Sequence, residues 1–227
     1  ATLGFDLSYF QGDVSESDFS CLKSNGYDFG IIEATAGSEY GLNPHIASVV
    51  ANAEKYFPNV DVYIFPDTSH SASDEMTSYI NALKSDGVLK KNMVWMDIEG
   101  SEYWSSSCSS NQNWLKEAID TINSLYKGCG LSTCVGIYAS ESQWSPIMCN
   151  TSEFSNYQLW WADYNGGATF SDFSPFGGWS KPNIKQYKGT TYICGTAIDE
   201  DYYQVYLFQF MLQIKCCQLS KKKRKAQ

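Results

Sequence analysis

The chain has 227 residues, 43% of them hydrophobic, which suits one globular domain with a large core. It contains no run of about 18 apolar residues, so the sequence predicts no membrane span. The net charge of −9 is uneven, because six of the 16 basic residues cluster between 215 and 225. The chain before Lys215 therefore carries ten basic and 25 acidic residues. A body this acidic is predicted to bind no nucleic acid, whose phosphates would repel it.

Apolar strand segments alternate with amphipathic helical segments through the first two thirds of the chain. The predicted strands are 3–8, 29–35, 60–65, 93–97 and 135–139, and the predicted helices are 15–25, 44–57, 73–85, 111–127 and 141–147. Segments 158–162, 184–187 and 197–199 then resemble strands, but the loops between them have no helical pattern. Strand–helix alternation is typical of a parallel sheet, and eight strands suggest closure. We predict a single-domain α/β fold, an irregular TIM-like (β/α)5(β)3 barrel over residues 1–204.

Eight cysteines are many for a cytosolic enzyme. They form no CxxC pair and only two histidines accompany them, which disfavours a zinc site. We predict no metal and no cofactor, and a disulfide-bonded protein that is secreted or held in a lysosomal or phagosomal lumen. The sequon that begins at Asn150 agrees with this compartment. At least two disulfides are expected among the six cysteines from Cys21 to Cys194, with Cys129–Cys134 one possible local bridge.

Residues 93–99 form an apolar run that ends in two acids, Asp97 and Glu99. In a strand these side chains leave the same face, with Cα atoms about 6.6 Å apart. Two such carboxyl groups can acquire different pKa values, one staying protonated and the other ionised. Glycoside hydrolysis uses that combination. The alternative is that both are solvated residues at the end of a strand.

The carboxyl ends of barrel strands supply the catalytic residues of such folds, and acids recur there in this chain. Aromatic side chains that could stack on sugar rings fall at the same level, although an aromatic residue taken alone is more often a core residue than a binding residue. The acids are Asp6, Glu33, Asp67, Asp97, Glu99 and Asp199, and the aromatics are Tyr63, Phe65, Tyr138, Trp160, Trp161, Tyr164 and Tyr187.

Five motifs, in order between residues 3 and about 203, resemble those of the glycoside hydrolase family 25 (Chalaropsis-type) lysozymes. Residues 4–12 (GFDLSYFQG) resemble the opening motif, and residues 29–37 (FGIIEATAG) are similar to the second-strand signature. Residues 97–99 match the D-x-E motif, 186–187 the late Q-Y and 197–199 the terminal V-D. The cysteine pattern is unlike that of bacterial members, which suggests a eukaryotic, protist- or nematode-like member.

The resemblance implies a barrel that cleaves the β-1,4 bond between N-acetylmuramic acid and N-acetylglucosamine in peptidoglycan. Glu99 would be the general acid, Asp97 would assist the substrate acetamido group, and Asp6 and Asp199 would be supporting carboxylates. A monomer is expected. The implied substrate-binding residues are Tyr63, Phe65, Tyr138, Trp160, Trp161, Tyr164, Gln186 and Tyr187. The chain departs from the family pattern at Glu33, where a basic residue is usual, and at Ile64, where bacterial members have histidine.

Two other functions remain open. A chitinase-like endo-glycosidase would need D-x-D-x-E, with an acid where Trp95 stands. A catalytically silent glycan-binding barrel would have no reason to keep all four carboxylates.

The segment 205–227 is apolar and then basic, with the basic cluster at 221–225. We predict that it is a disordered or non-native extension, the alternative being attachment to anionic walls or lipids.

Overall fold

The computed structural model describes residues 2–204. The predictions for the segment 205–227, including Cys216 and Cys217, lie outside the described residues. Within residues 2–204 no helix is long and apolar enough to cross a membrane.

The strands are β1 (Thr2–Leu7), β2 (Tyr27–Glu33), β3 (Thr35–Ala36), β4 (Glu39–Leu42), β5 (Val60–Ile64), β6 (Val94–Asp97), β7 (Val135–Ala139), β8 (Gln158–Ala162), β9 (Ile184–Ile193) and β10 (Thr196–Tyr203). The helices are α1 (Glu16–Ser24), α2 (Ile46–Ala53), α3 (Ala72–Ser85), α4 (Cys108–Leu125) and α5 (Glu141–Met148).

Eight strands close into one barrel in the order β1-β10-β9-β8-β7-β6-β5-β2, which confirms the predicted α/β barrel. The five helices lie between the strands of the first part of the chain, up to β8, and the last three barrel strands have none between them. The predicted sheet was parallel, and this is correct from β1 through β2 and β5 to β9. It is wrong for β10, which is antiparallel to both β9 and β1, because a tight turn at Cys194 and Gly195 reverses the chain.

Serine caps decide where four of the helices begin. The hydroxyl groups accept a hydrogen bond from the amide three residues on, which satisfies a donor that the helix itself leaves free. This explains why α4 begins three residues before its predicted start, since Ser107 caps it by accepting from the Ser110 amide. The other capping residues are Ser15, Ser71 and Ser140.

The barrel interior is filled by large side chains, separate from the apolar layer between barrel and helices. Glycines on two strands make room for them, because a Cβ at Gly4 would collide with the Phe29 ring and one at Gly136 with the Trp95 ring. The floor beneath the carboxyl end of the barrel is therefore closed and aromatic. Its members are Phe29, Ile31, Tyr63, Met93, Trp95, Tyr138, Trp160 and Ile184.

β9 and β10 are longer than predicted and rise beyond the barrel as a two-stranded ribbon. β9 pairs with β8 only as far as Gln186, and β10 pairs with β1 only from Asp199 onwards. Residues 188–198, the β9–β10 ribbon, therefore have strand partners only in β9 and β10 themselves. The short hairpin of β3 and β4 was also not predicted.

Three disulfides are present within residues 2–204, which confirms that at least two join the six cysteines. Cys129–Cys134, the local bridge that the sequence analysis named as possible, links the segment after α4 to the residue before β7. Cys108–Cys149 joins the start of α4 to the residue that follows α5. Cys21–Cys194 joins α1 to the turn of the β9–β10 ribbon.

Candidate active site

A cleft of about 370 Å³ opens at the end of the barrel where the parallel strands finish. All four predicted catalytic carboxylates, Asp6, Asp97, Glu99 and Asp199, line it. Asp6 and Asp199 are directly opposed on the antiparallel pair β1 and β10. Because like charges placed opposite each other in a sheet repel, the fold brings together groups that resist being ionised at the same time.

Asp97 and Glu99 differ in burial. Asp97 is 4% exposed, and its Oδ1 accepts no hydrogen bond from residues 2–204 although it is buried. Glu99 is half-buried, and no donor among the described residues reaches its carboxyl group either. Its backbone is fixed from both sides, since its carbonyl accepts from Trp104 Nε1 (3.0 Å) and the next amide, Gly100, donates to Gln143 Oε1 (3.2 Å). The two carboxyl groups are thus positioned by main chain and packing, and no described residue donates a hydrogen bond to their oxygens.

Every carboxyl group of the cleft holds its proton more tightly than usual. Burial first, then the charges of Glu99, Glu33 and Asp6, raises the pKa of Asp97 well above its ordinary value. Burial, followed by the charges of Glu33, Asp199 and Glu102, raises the pKa of Glu99. Burial and the Asp199 charge raise the pKa of Asp6. At least one of these groups therefore stays protonated where an exposed carboxyl would be ionised.

Gln186 connects the carboxylates to the aromatic residues. Its Nε2 donates to Asp6 Oδ2 (2.7 Å) and Asp199 Oδ2 (3.2 Å). Its Oε1 accepts from the hydroxyl groups of Tyr138 (2.7 Å) and Tyr164 (2.8 Å). The amide is thereby fully satisfied, and its orientation follows from its four partners.

A further acid, Asp201, was not predicted for the site. It is fully buried beside Asp6, and its Oδ1 accepts from Trp160 Nε1 (2.8 Å). Burial and the neighbouring Asp6 raise its pKa well above the ordinary value. A signal existed, because Asp199 and Asp201 stand two residues apart on one strand, the same spacing as Asp97 and Glu99.

The structure brings five of the eight predicted substrate-binding residues to the cleft, namely Tyr63, Tyr138, Trp160, Tyr164 and Gln186. The other three are elsewhere. Phe65 packs on the Tyr103 ring, Trp161 packs on Phe173 in the layer outside the barrel, and Tyr187 donates to Glu200. Trp161 and Tyr187 each follow an inward-facing residue, so strand alternation turns them outward.

Glu33 and Asp67 also lie outside the lining of the cleft. Glu33 is buried and accepts from the amides of Tyr9 and Gly37 and the hydroxyls of Tyr63 and Thr35, which makes it a structural anchor. Asp67 accepts from the amide and hydroxyl of Ser69. Within residues 2–204 no group of three or more His, Cys, Asp or Glu side chains is arranged to hold a metal ion.

The cleft continues on the far side of Glu99. A second cavity of about 300 Å³ shares Glu99, Tyr138 and Tyr164 with the first and extends to Gln143 and Asp163. Glu99 therefore lines both cavities. Two exposed aromatic residues that the sequence did not single out, Phe10 and Tyr192, also line the first cavity.

Comparisons with known proteins agree with this geometry. Residues 2–187 match the family model described as Lys-1, lysozyme-like protein 1. The chain is 40% identical over 207 residues to probable GH family 25 lysozyme 2 of Dictyostelium discoideum, covering 89% of this chain and 91% of the relative. It is 34% identical over 205 residues to lysozyme-like protein 5 of Caenorhabditis elegans, covering 88% and 90%. Counting factor 50 of Dictyostelium discoideum is 39% identical over 197 residues, and the match covers 84% of this chain but 62% of that longer protein.

Solved structures share the fold. A muramidase from Trichobolus zukalii superposes with a TM-score of 0.70 at 24% identity, covering 92% of this chain and 97% of that one. A family GH25 lysozyme from Aspergillus fumigatus gives a TM-score of 0.69 at 21% identity, covering 92% and 96%. At these identities the likeness is one of fold.

Proposed function

Since the chain belongs to the glycoside hydrolase family 25 lysozymes, we propose that it is a muramidase that cleaves the β-1,4 bond between N-acetylmuramic acid and N-acetylglucosamine in peptidoglycan. One observation carries the proposal beyond family membership. Asp97 Oδ1 is a buried carboxyl oxygen in the cleft with no donor among residues 2–204. A buried acceptor without a partner is costly, and the N–H of an N-acetylated sugar is a donor that would satisfy it.

In this mechanism Asp97 accepts the hydrogen bond of the 2-acetamido N–H and orients its carbonyl oxygen toward the anomeric carbon. Glu99 donates its proton to the glycosidic oxygen as the bond to the leaving sugar breaks. The negative charge of Asp97 stabilises the positive charge that develops on the acetamido group and the ring. The acetamido oxygen takes the place of the leaving sugar on the anomeric carbon. Water then attacks that carbon and displaces the acetamido oxygen, and Glu99 takes the proton that this water loses, which restores the acid.

Substrate binding also determines which of the two carboxyl groups, Asp97 or Glu99, is protonated. Without substrate both carboxyl groups hold protons tightly, and Asp97 is the more buried of the two. A hydrogen bond from the acetamido N–H favours the ionised form of Asp97 and lowers its pKa. Glu99 receives no such donor and remains the protonated member. The substrate itself thereby sets the charge state that the reaction needs.

Asp6 and Asp199 support this pair from the opposite wall. Gln186 ties both to Tyr138 and Tyr164, so their oxygens stay in place while a glycan enters. The charge of Asp199 helps to raise the pKa of Glu99, and the charge of Asp6 helps to raise that of Asp97. We assign them binding and tuning roles and no direct proton transfer.

Three disulfides fit an extracellular or lysosomal enzyme, and we propose that the protein is secreted or delivered to such a lumen, where it acts as a monomer on bacterial walls. The chitinase alternative is disfavoured because Trp95, at the position of its additional acid, is buried in the barrel floor and donates to Asp61.

The test compares two substrates. The protein should clear a suspension of bacterial walls and release reducing ends from purified peptidoglycan, with little release from chitin oligomers. The Glu99→Gln variant, prepared in parallel, is the control for contaminating lysozyme. Activity on chitin alone would favour the chitinase alternative, and binding to walls without cleavage would favour a silent glycan-binding barrel.

A further inference from the structure

The β9–β10 ribbon (residues 188–198) forms a wall of the cleft that is not part of the barrel. Its strands pair only with each other there, yet Thr190, Tyr192, Ala197 and Ile198 all line the cavity that contains the carboxylates. A two-stranded ribbon on its own is only marginally stable in water. Something besides pairing must therefore hold it over the cleft.

Two covalent or polar links supply that support. The disulfide Cys21–Cys194 fastens the turn of the ribbon to α1. At its base Thr190 has a positive φ of 40°, an unfavourable conformation for a β-branched residue, and its amide donates to Asp199 Oδ1 (2.5 Å). Backbone strain of this kind persists where the surroundings impose it, and it is concentrated at functional sites. The ribbon is thus anchored to α1 at one end and to a carboxylate of the site at the other.

The ribbon carries an aromatic side chain for which the fold shows no structural use. Tyr192 is 83% exposed, and its side chain makes no hydrogen bond and no aromatic-ring contact within residues 2–204. Phe10, which follows β1, lines the same cavity and is 80% exposed, touching only the Tyr9 ring among aromatic neighbours. Exposing two large aromatic surfaces to water forgoes the free energy of burying them, unless a ligand covers them.

We propose that Tyr192 and Phe10 are stacking platforms for sugar rings of the glycan strand, and that the β9–β10 ribbon is a rigid arm that presents Tyr192 at a subsite next to the cleavage point. The assignment rests on the proposed function. The flat apolar face of a pyranose ring matches an aromatic surface, and the cleft lining contributed by residues 2–204 contains no positive group for the anionic parts of the wall. Binding by stacking on uncharged ring faces suits a site with this charge.

The positions of Tyr192 and Phe10 determine which part of the glycan these side chains can bind. Tyr192 and Phe10 line the first cavity only, whereas the space on the other side of Glu99 is lined by Gln143 and Asp163. The platforms therefore act on one arm of the glycan, and a substrate too short to extend along that arm gains nothing from them.

The test uses Tyr192→Ala and Phe10→Ala, with Tyr192→Phe as the variant that keeps the ring. Tyr192→Thr also removes the ring but keeps a residue that favours strands, so it controls for disruption of the ribbon structure. Tyr40→Ala, an exposed tyrosine of β4 outside the cleft, is the matched control. We expect KM on long glycan strands to rise roughly three- to ten-fold in the alanine and threonine variants, with little change in kcat. On long strands Tyr192→Phe and Tyr40→Ala should behave as wild type. On the shortest cleavable oligomer every variant should do so.

A second measurement does not depend on catalysis. In the Glu99→Gln background, sedimentation with insoluble peptidoglycan should show the same three- to ten-fold weakening for Tyr192→Ala. Unchanged binding and unchanged KM on long strands would overturn the inference, and so would an equal loss in Tyr40→Ala. If the wild-type protein fails to cleave peptidoglycan, the proposed function fails, and the sedimentation result still decides whether the platforms bind glycan.

Discussion

At the scale of single residues, the Gln186 amide is the rigid centre of the site. Two tyrosine hydroxyls fill its acceptor positions and two carboxylates fill its donor positions. A side chain with four partners cannot rotate without breaking several hydrogen bonds at once. Asp6 and Asp199, which Gln186 holds, are therefore preorganised, while Asp97 and Glu99 are left with free oxygens for substrate.

The residue on which the proposed chemistry depends most is Glu99. Glu99→Gln keeps the shape of the side chain and removes its proton, and we expect wall lysis to fall by roughly 10²–10⁴-fold, the usual contribution of general acid catalysis. The thermal unfolding temperature should stay close to that of wild type, since no described residue donates to the carboxyl group. A variant that keeps more than a tenth of the wild-type rate would show that Glu99 is not the acid.

Asp97→Asn should be nearly as damaging. The amide can still occupy the site, but it loses the negative charge that stabilises the developing cation. We expect a loss of about 10²-fold or more, mainly in kcat, because the lost interaction strengthens in the transition state. Steady-state kinetics on peptidoglycan fragments gives the value. A mild effect would move the role to Asp6 or Asp199.

Which of these residues could be found from sequence depended on strand alternation. The D-x-E pair was identifiable because Asp97 and Glu99 follow an apolar run and stand two residues apart, so that both side chains leave the same face of the strand. Asp199 and Asp201 have the same spacing, which would have identified Asp201. Trp161 and Tyr187 were misplaced because each adjoins an inward residue of similar chemistry, Trp160 and Gln186, and the register of a strand is set by its neighbours. Tyr192 gave no signal, since an exposed aromatic in a ribbon has no periodic partner, and Phe10 was part of the opening motif but received no role of its own.

At the scale of elements, the helices and the first strands were predictable because their apolar spacing and caps are local. The long β9 and β10 were not, because most residues of their ribbon are polar or exposed and lie outside the apolar pattern of the barrel. The antiparallel arrangement of β10 likewise depends on a turn at Cys194 and Gly195 whose left-handed conformation the composition alone did not reveal. The disulfide map was open for the same reason, since the bridge from Cys21 spans 173 residues.

The three disulfides should differ in their contribution to stability. In the chain-entropy view a cross-link stabilises more when it closes a longer loop. Replacing Cys21 and Cys194 by serine should therefore lower the free energy of unfolding by about 3–5 kcal/mol, against about 2 kcal/mol for Cys129 and Cys134, whose loop spans only five residues. Denaturant unfolding of the two double variants tests this order. An equal or reversed order would mean that local geometry outweighs loop length here.

Helix α3 contains an acid that should make folding stability depend on pH. Glu75 is completely buried, its Oε1 accepts from the Asp67 amide (3.1 Å), and burial raises its pKa to about 7. Because the folded pKa lies above the unfolded one, its stabilising effect is complete below pH ~4.5 and is lost as pH rises through about 7. Relative to Glu75→Gln, wild type should lose stability between pH 4.5 and 8.

Thermal unfolding of both proteins across that range gives the difference directly, because contributions from other acids cancel in the comparison. Curves that run parallel would show that Glu75 does not titrate between those limits in the folded protein.

At the scale of the whole molecule, charge and pKa shifts favour activity in acid. The reaction needs Glu99 protonated and Asp97 ionised in the complex, which gives a bell-shaped profile. The raised pKa of Glu99 extends its protonated range upward, and activity is lost as pH rises through it. We expect an optimum at roughly pH 4–6. Lysis measured against pH at fixed ionic strength tests this, and a maximum above pH 8 would contradict a carboxylic acid as the proton donor.

The way the barrel closes has a consequence for the making of the protein. Asp6 is on the first barrel strand and Asp199 on the last, and they meet only when β10 inserts between β1 and β9. During synthesis almost the entire barrel sequence must leave the ribosome before the last strand can complete the sheet. Truncated products that end before β10 have an open edge and lack part of the carboxylate cluster. A nascent chain of this protein therefore lacks the complete carboxylate cluster until its last barrel strand has been made.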